Sequence, residues 1–361
     1  MKLEKIILIV AVVYIVNIVF YVSYYFTSAK NSSSAASTFY FGKNSRWFFS
    51  STDDERQVTY NNTNNLTGQR VNLGVYDYII NQLNKCSGSD VFVLGLVTTA
   101  HKHVKERKAI RDTWASVKQT GSKRIVTVFL VAKSDDSRMQ RLIKDESVKY
   151  KDIVQFNFDE HYLNLTLKTL LGFKWAIDHC PNASYVLKTD DDVFINYYSL
   201  AKNLTQMPRT NLAYGYSYLN ITPSRNHTDK WYTPLEMYKH DKYPPYLVGT
   251  GYVLSNDVMK SVHSVSSTLK FITWEDVFVG IALDKLGIKL RHDWRFDTFS
   301  QHTRLKEACS FHPLFTSHHK NPLRLRYMWK IYMKQIAECE KAAAEEEEKK
   351  QKAQEVRLSI T

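Results

Sequence analysis

Cysteine is scarce in this chain of 361 residues. The four cysteines, Cys86, Cys180, Cys309 and Cys339, stand far apart, and none belongs to a Cys-x-x-Cys pair. This spacing argues against a structural zinc site, because such sites draw on closely spaced thiolates. In an oxidising compartment the four could form up to two disulfides, and the sequence leaves all three pairings open.

Motifs that read nucleic acids are also missing. The net charge is +13, but lysines and arginines are spread along the chain rather than gathered into one arm. There is no zinc-finger spacing, no basic zipper and no aromatic RNA-binding signature. Nucleic acid is therefore not expected as a partner, and the positive charge suits anionic substrates or membrane lipid equally well.

One long apolar run lies near the amino terminus. Residues 6–26 are almost uninterrupted apolar sequence, the length of a helix that crosses a bilayer. Lys2 and Lys5 precede it, so we expect residues 1–5 in the cytoplasm and the remainder in a lumen. A cleaved signal peptide, ending near residues 27–29, is the alternative, but its apolar core is usually shorter.

Residues 27–85 are rich in serine, asparagine and threonine, which is typical of a stem between a membrane anchor and a globular domain. Several glycosylation sequons support a luminal location. They begin at Asn31, Asn61, Asn65, Asn182, Asn203, Asn220 and Asn226. Asn164 begins another, but it precedes a predicted helix and we expect it to be too enclosed for modification.

From residue 91 onward, strand-like and helix-like segments alternate. Apolar runs at 91–98, 125–131 and 153–156 predict buried strands, and segments 106–114, 135–147 and 165–179 predict helices between them. Such alternation is typical of an α/β domain with a doubly wound, mainly parallel sheet. We expect a single globular domain at residues 86–333, followed by a charged helical or disordered tail at 334–361.

Three consecutive carboxylates, Asp190, Asp191 and Asp192, lie between the apolar runs 185–187 and 193–195. Adjacent anions repel one another unless water or a cation compensates them. At the carboxyl end of a strand in an open α/β sheet, they would lie where such sheets bind ligands. Their oxygens suit Mg²⁺ or Mn²⁺, which in turn bind diphosphates. A solvated acidic turn is the alternative, and the flanking apolar runs argue against it.

Residues 213–255 are rich in tyrosine, glycine and proline and lack helical periodicity. Aromatic rings pack on the apolar faces of sugars, so this region predicts the walls of a sugar-binding cleft, with ordinary core packing as the alternative for each residue. The candidates are Trp231, Tyr232, Tyr238, Tyr243, Tyr246 and Tyr252. Gly249 and Gly251 indicate backbone that runs close to a ligand.

Glu275 and Asp276 open a predicted helix that ends at Gly287. By spacing alone, Asp276 has a structural role. Acids in the first turn stabilise a helix, and Thr273 as the N-cap with Asp276 three residues later approaches a capping box.

Four segments, taken together and in this order, resemble the inverting β-1,3-glycosyltransferases of glycosyltransferase family 31. They are RKAIRDTW (107–114), NLTLKTLLGFKWAIDHCPNASYVLKTDDDVFIN (164–196), YPPYLVGTGYVLS (243–255) and EDVFVGIALDKLGI (275–288). The resemblance covers roughly residues 86–329. It implies a GT-A fold, a UDP-sugar donor, a glycan acceptor, Mn²⁺ as the cofactor, and a single-pass type II protein of the Golgi membrane with a luminal catalytic domain.

The resemblance also implies roles for individual residues. Asp192 and His318 would bind the metal, with His319 as the less favoured alternative to His318. Asp276 would be the catalytic base, which replaces its structural interpretation. Asp190 would contact the nucleotide or ribose, and Asp191 the donor sugar.

The remaining candidates line the donor and acceptor sites. Further donor-site residues are Lys188, Glu275, Arg107 and Arg111. The two arginines would hold either the uridine diphosphate or the sheet beside it, with ion pairing on the helix surface as the alternative. The acceptor-site residues are Trp231, Tyr246, Gly249, Gly251 and Tyr252.

On this resemblance we expect galactose transfer from UDP-galactose to the 3-hydroxyl of an acceptor sugar on a glycolipid or glycoprotein. Asp276 would accept the proton of that hydroxyl, and the metal would stabilise the UDP leaving group. UDP-N-acetylglucosamine is the alternative donor. A luminal glycan- or nucleotide-binding protein without catalytic activity is the alternative of another class.

Overall fold

The structure, a computed structural model, describes residues 69–297, 309, 313–318 and 320–360. The predicted anchor, most of the predicted stem, His319 and the sequons at Asn31, Asn61 and Asn65 lie outside these ranges. Within them, no helix combines the length and the apolar character that a bilayer crossing requires.

Strands and helices alternate through the first half of the described chain. In chain order the strands are β1 (Tyr78–Ile80), β2 (Val91–Thr98), β3 (Gln119–Thr120), β4 (Lys123–Lys133), β5 (Ile153–Asp159), β6 (Tyr185–Asp190), β7 (Phe194–Ile195), β8 (Ala213–Tyr218), β9 (Tyr246–Ser255), β10 (Leu290–His292), β11 (Phe296–Asp297) and β12 (Thr316–Ser317). The helices are α1 (Val104–Asp112), α2 (Ser137–Tyr150), α3 (Leu165–His179), α4 (Tyr197–Leu204), α5 (Asn256–Ser266), α6 (Glu275–Lys285) and α7 (Pro322–Ile360).

The larger sheet is mixed and mostly parallel at its centre. Its order is β1-β5-β4-β2-β6-β9-β8-β10, with β3 paired to β4. Strands β5, β4, β2 and β6 form consecutive parallel pairs. Strand β9 is antiparallel to both of its neighbours, β6 and β8. The predicted α/β class and mainly parallel centre are confirmed, and the antiparallel β9 is the feature that strand–helix alternation did not predict.

Helices cover both faces of this sheet. Alternate residues of β4 point to opposite faces. Phe129 joins a core cluster that includes Ile110 of α1, Leu200 of α4 and Met328 of α7. Its neighbour Leu130 points the other way, where α3 packs so closely that a Cβ at Gly172 would collide with it. Two layers of helix therefore enclose strands that are buried almost throughout, such as β2.

A smaller sheet, in the order β11-β12-β7, lies just after the acidic triplet. Strand β12 pairs antiparallel with β7, so that Thr316 lies opposite Ile195 and Ser317 opposite Phe194. This pairing brings His318, which follows β12, back to Asp192, which precedes β7.

The structure has one of the three cysteine pairings that the sequence left open. Cys86 bonds to Cys180, and Cys309 bonds to Cys339. The second bond joins helix α7 to the segment that leads into β12.

Helix α7 runs without a break across the predicted boundary at residues 333–334. At the other end, β1 pairs with β5, so residues assigned to the stem pack on the domain before Cys86.

Candidate functional site

The acidic triplet lies at the carboxyl ends of two neighbouring parallel strands. Asp190 is the last residue of β6, and it is aligned with Thr98, the last residue of β2. The remaining two aspartates follow directly. This is the edge at which open α/β sheets bind ligands, so the predicted position of the triplet is confirmed.

The first two aspartates are bound by the protein itself. Asp190 Oδ1 accepts hydrogen bonds from the Thr98 hydroxyl over 2.6 Å and from Lys188 Nζ over 2.8 Å. Asp191 is buried, and its Oδ2 accepts from the Thr99 hydroxyl and lies 2.8 Å from His103 Nδ1. The hydrogen bond with Asp191 raises the pKa of His103. Asp191 therefore anchors the loop after β2, and its expected contact with the donor sugar stays a prediction.

Asp192 and His318 lie together, and Asp192 is the most exposed carboxylate of the triplet. Their side chains are 43% and 17% exposed, and His318 Nε2 lies 3.2 Å from Asp192 Oδ2. The backbone N–H of Lys320 donates to the Asp192 carbonyl over 2.7 Å, which fixes the approach of the β12 segment. Two ligands at about 2.1 Å on adjacent octahedral positions are about 3 Å apart, so this pair fits one ion.

The chemistry of this donor set also fits Mn²⁺, which accepts carboxylate oxygen and imidazole nitrogen. Within the described part of the chain, no three His, Cys, Asp or Glu side chains converge tightly enough to hold an ion. A two-residue site is usual where phosphate oxygens of the substrate complete the coordination.

Asp276 lies in the first turn of α6, where its carboxylate is held by backbone amides. Its Oδ1 accepts from the N–H of Val277 over 2.9 Å, and its Oδ2 accepts from the N–H of Gly249 over 3.3 Å. Burial and the neighbouring Glu275 raise the pKa of Asp276 to about 6, against the lowering effect of Lys188 and the two amides. The group is therefore ionised at neutral pH and still basic enough to take a proton.

The helix start differs from the expected capping arrangement. The N-cap of α6 is Trp274, which makes no side-chain capping bond, rather than Thr273. Thr273 is buried and its hydroxyl faces the Met237 sulfur. Gly287, with a φ of 68°, follows the helix as predicted.

Glu275 and Lys188, both expected to touch the donor, are instead buried against each other. Lys188 Nζ lies 3.0 Å from Glu275 Oε2, and the hydroxyl of Tyr252 donates to Glu275 Oε1 over 2.6 Å. These contacts correct the donor-site assignment of Glu275 and Lys188 and the acceptor-site assignment of Tyr252, since none of the three side chains is open to a substrate.

Arg107 and Arg111 belong to a buried ion-pair network. Arg107 Nη2 lies 2.7 Å from Glu146 Oε2, and its Nη1 donates to the Ala100 carbonyl over 2.6 Å. Arg111 pairs with Glu146 and with Asp152. Arg107 therefore supports the loop that carries Thr99 and His103, and Arg111 joins α1 to Glu146 of α2 and to Asp152 before β5. This corrects a direct donor contact and favours the alternative that they hold the sheet beside the donor.

The glycines of strand β9 lie close to other parts of the fold. A Cβ at Gly251 would come within 2.8 Å of Thr316 Cγ2, and one at Gly249 within 3.2 Å of Glu275 Oε2. Tyr246 is buried and packs edge-on against Tyr218. Packing within the fold therefore accounts for both glycines and for Tyr246, and the expected approach of an acceptor to Gly249, Gly251 and Tyr246 stays a prediction.

Trp231 and Tyr162 are two hydrogen-bonded aromatic residues near the acidic motifs. Trp231 is 49% exposed and hydrogen-bonds to Tyr162, whose ring lies 4.7 Å from Lys230 Nζ. Burial raises the pKa of Tyr162, and the charges of Asp276 and Asp190 raise it further, so its hydroxyl is close enough to both acidic motifs to feel their charge. Sequence reasoning missed Tyr162 because it precedes the segment starting at residue 164. It also missed His103, whose position just before α1 was the available signal.

The described sequons differ in accessibility. Asn182, Asn220 and Asn226 are exposed. Asn203 is half-buried and accepts a hydrogen bond from the Tyr214 hydroxyl over 2.9 Å. Asn164 is buried and its side chain donates to the Asp159 carbonyl, which agrees with the expectation that this residue is enclosed.

Comparison with known proteins gives consistent matches. The family model described as galactosyltransferase matches residues 105–294. The chain is 35% identical to beta-1,3-galactosyltransferase 1 of Homo sapiens over 269 residues, which cover 73% of this chain and 81% of that protein. It is 37% identical to beta-1,3-galactosyltransferase 5 of Homo sapiens over 245 residues, with coverage of 68% and 79%. Among solved structures, it is similar to the galactosyltransferase LgtC in complex with donor and acceptor sugar analogs. That match has a TM-score of 0.35 and 12% identity, and it covers 64% of this chain and 88% of that one.

Proposed function

Because the chain belongs to the galactosyltransferase family, we propose that it is an inverting β-1,3-galactosyltransferase with a GT-A fold. Its donor is UDP-galactose, and its acceptor is the 3-hydroxyl of a sugar on a glycolipid or glycoprotein. The observation that carries the proposal is Asp276, a carboxylate with a raised pKa that Lys188 and Glu275 connect directly to the acidic triplet.

Asp192 and His318 hold Mn²⁺ in this proposal. When bound, the ion neutralises the charge that develops on the departing UDP. The remaining protein groups bind and orient. Asp190 presents its carboxylate at the strand edge, supported by Thr98, and the open face of Trp231 packs against the acceptor sugar.

Asp276 performs the proton transfer. Its carboxylate takes the proton of the acceptor 3-hydroxyl while that oxygen bonds to the anomeric carbon of galactose. The bond between the anomeric carbon and the UDP oxygen breaks on the opposite face, so an α-linked donor gives a β-linked product. One displacement requires one base and no protein nucleophile.

The proposed location is the Golgi membrane, with the catalytic domain in the lumen. The apolar run at residues 6–26 supports an anchor. The disulfides Cys86–Cys180 and Cys309–Cys339 support an oxidising compartment, since cytosolic thiols are kept reduced.

The experiment that tests the proposal is a transfer assay with the full-length protein in detergent. It is incubated with UDP-galactose or UDP-N-acetylglucosamine, simple β-glycoside acceptors and Mn²⁺, and product linkage is read by NMR. We expect a β-1,3-linked galactoside and no product once a chelator is added. UDP binding without transfer from either donor would contradict the proposal and favour a non-catalytic binding protein.

A further inference from the structure

Lys188 is a buried cation that joins the two acidic motifs. Its side chain is 2% exposed. Its ammonium group donates to Asp190 Oδ1 over 2.8 Å and to the Gly249 carbonyl over 2.7 Å, and it lies 3.0 Å from Glu275 Oε2. Three N–H bonds meet three acceptors from β6, β9 and α6. The side chain therefore has no donor left for a substrate, and its contacts are with elements of the site.

Gly249 links Lys188 to the base on the other side. Its carbonyl accepts from Lys188, while its N–H donates to Asp276 Oδ2. A Cβ at this position would lie 3.2 Å from Glu275 Oε2 and 3.6 Å from Asp276 Oδ2, so the strand and the helix start are packed tightly. Glu275 is held at both oxygens, by Lys188 and by the Tyr252 hydroxyl. The first turn of α6 is thereby fixed against β9 and β6.

We propose that Lys188 and Glu275 are positioning residues for the transfer reaction, which fix the start of α6 so that the Asp276 carboxylate faces the acceptor hydroxyl. The inference rests on the proposed role of Asp276 as the base. A buried lysine–glutamate pair adds little stability over apolar residues of the same size, so its contribution lies in holding this geometry and this charge pattern.

The charges around Asp276 make the role measurable. The ionisable groups that interact with it are Glu275, Lys188, Tyr162, Tyr243 and Tyr252, and Asp190 acts on two of these, Tyr162 and Tyr252. Glu275 raises the pKa of Asp276 and Lys188 lowers it. Removing one charge or the other must therefore move the protonation of the base in opposite directions. A residue that only stabilises the fold would lower activity without such a pair of opposite shifts.

The test is the pH dependence of kcat/KM for galactose transfer, measured at saturating Mn²⁺ in the wild type, Glu275→Gln and Lys188→Met. The acid limb of the profile is the fall of kcat/KM at low pH, where Asp276 becomes protonated. We expect this limb to move to lower pH in E275Q and to higher pH in K188M, each by about one pH unit. E275Q keeps the size and shape of the side chain, so it serves as the test even where K188M does not fold.

Lys168→Met is the matched control. Lys168 is also a buried lysine paired with a glutamate, Glu160, and its Nζ donates to the Thr99 carbonyl over 2.8 Å. None of the described hydrogen bonds and ion pairs of Lys168 involves Asp276. K168M should lower the thermal midpoint as K188M does and leave the acid limb where it is in the wild type.

Two results separate this inference from the proposed function. Transfer that survives in Asp276→Asn would overturn both, since no base would then need positioning. Transfer that is lost in D276N, together with an acid limb that does not move in either E275Q or K188M, would overturn the positioning role alone. Shifts in the same direction in both variants would also overturn it.

Discussion

The two acidic motifs of the site are stabilised in different ways. In the triplet, Asp190 is bound by a lysine and a threonine hydroxyl, and Asp191 by a histidine and a threonine hydroxyl. Asp192 stands partly exposed beside His318. In the second motif, Glu275 is bound by Lys188 and the Tyr252 hydroxyl. Asp276 has only backbone amides as described hydrogen-bond donors.

The difference lies in how the carboxylates of the two motifs are held. Asp190 and Glu275 share the buried Lys188, whereas Asp276 accepts hydrogen bonds from backbone amides. At Asp192 the open side chain and the adjacent imidazole suit a metal ion. At Asp276 burial without a bound cation keeps the pKa near 6, where a carboxylate can act as a base. A lysine bonded directly to Asp276 would lower its pKa and weaken it in that role.

The largest expected effect comes from Asp276→Asn. Loss of the base should lower the transfer rate by about 10³-fold, because asparagine cannot accept the proton. Mn²⁺-dependent binding of UDP, measured by calorimetry, should stay at the wild-type level. Asp284→Asn, on the exposed side of the same helix, is the control and should retain full activity. Transfer above a tenth of the wild-type rate in D276N would remove Asp276 from the mechanism.

The same substitution should stabilise the fold at neutral pH. The pKa of Asp276 is about 6 in the folded protein against an ordinary value of 3.8, so stability is lost as the pH rises between these values. Asparagine does not titrate. D276N should therefore be more stable than the wild type by up to about 3 kcal/mol at pH 7, and by less than about 1 kcal/mol at pH 4.

Urea unfolding of both proteins at the two pH values measures this difference. An equal or lower free energy of unfolding for D276N at pH 7 would mean that the folded protein does not disfavour the ionised carboxylate. The contrast between the two acidic motifs would then be lost.

A smaller effect is expected at the metal end. Asp192→Asn should weaken UDP binding at least tenfold in the presence of Mn²⁺ and leave it unchanged with a chelator, because one of two protein ligands loses its charge. Asp159→Asn, which removes an exposed carboxylate of β5, is the control. Equal UDP affinities of D192N and the wild type in Mn²⁺ would place the metal elsewhere.

Much of the fold could be predicted because local patterns decided it. Strand β2 and helix α3 begin and end where hydrophobic periodicity placed them, at residues 91–98 and 165–179. Strand β9 was not predicted as an antiparallel member of the sheet. Its glycines interrupt the apolar run, and its direction is fixed by pairing with β6 and β8, which are distant in sequence. The disulfide pairing was open for the same reason.

The site could be predicted in position but not in the role of each side chain. The sequence identified Asp190 and Asp276 as candidates, and the fold brings their motifs together. It could not reveal that Lys188 would form an ion pair with Glu275, or that Arg107 would form one with Glu146. Such partners lie 39 or more residues away in the chain, so only tertiary packing selects them.

The pH dependence of transfer by the wild-type protein tests the central claim most directly. At saturating Mn²⁺ and UDP-galactose, the rate at limiting acceptor should fall about tenfold per pH unit below about pH 6 and stay constant above it, following the protonation of Asp276. A rate that is unchanged from about pH 7 down to about pH 5 would contradict the account, because the base would then have an ordinary carboxylate pKa.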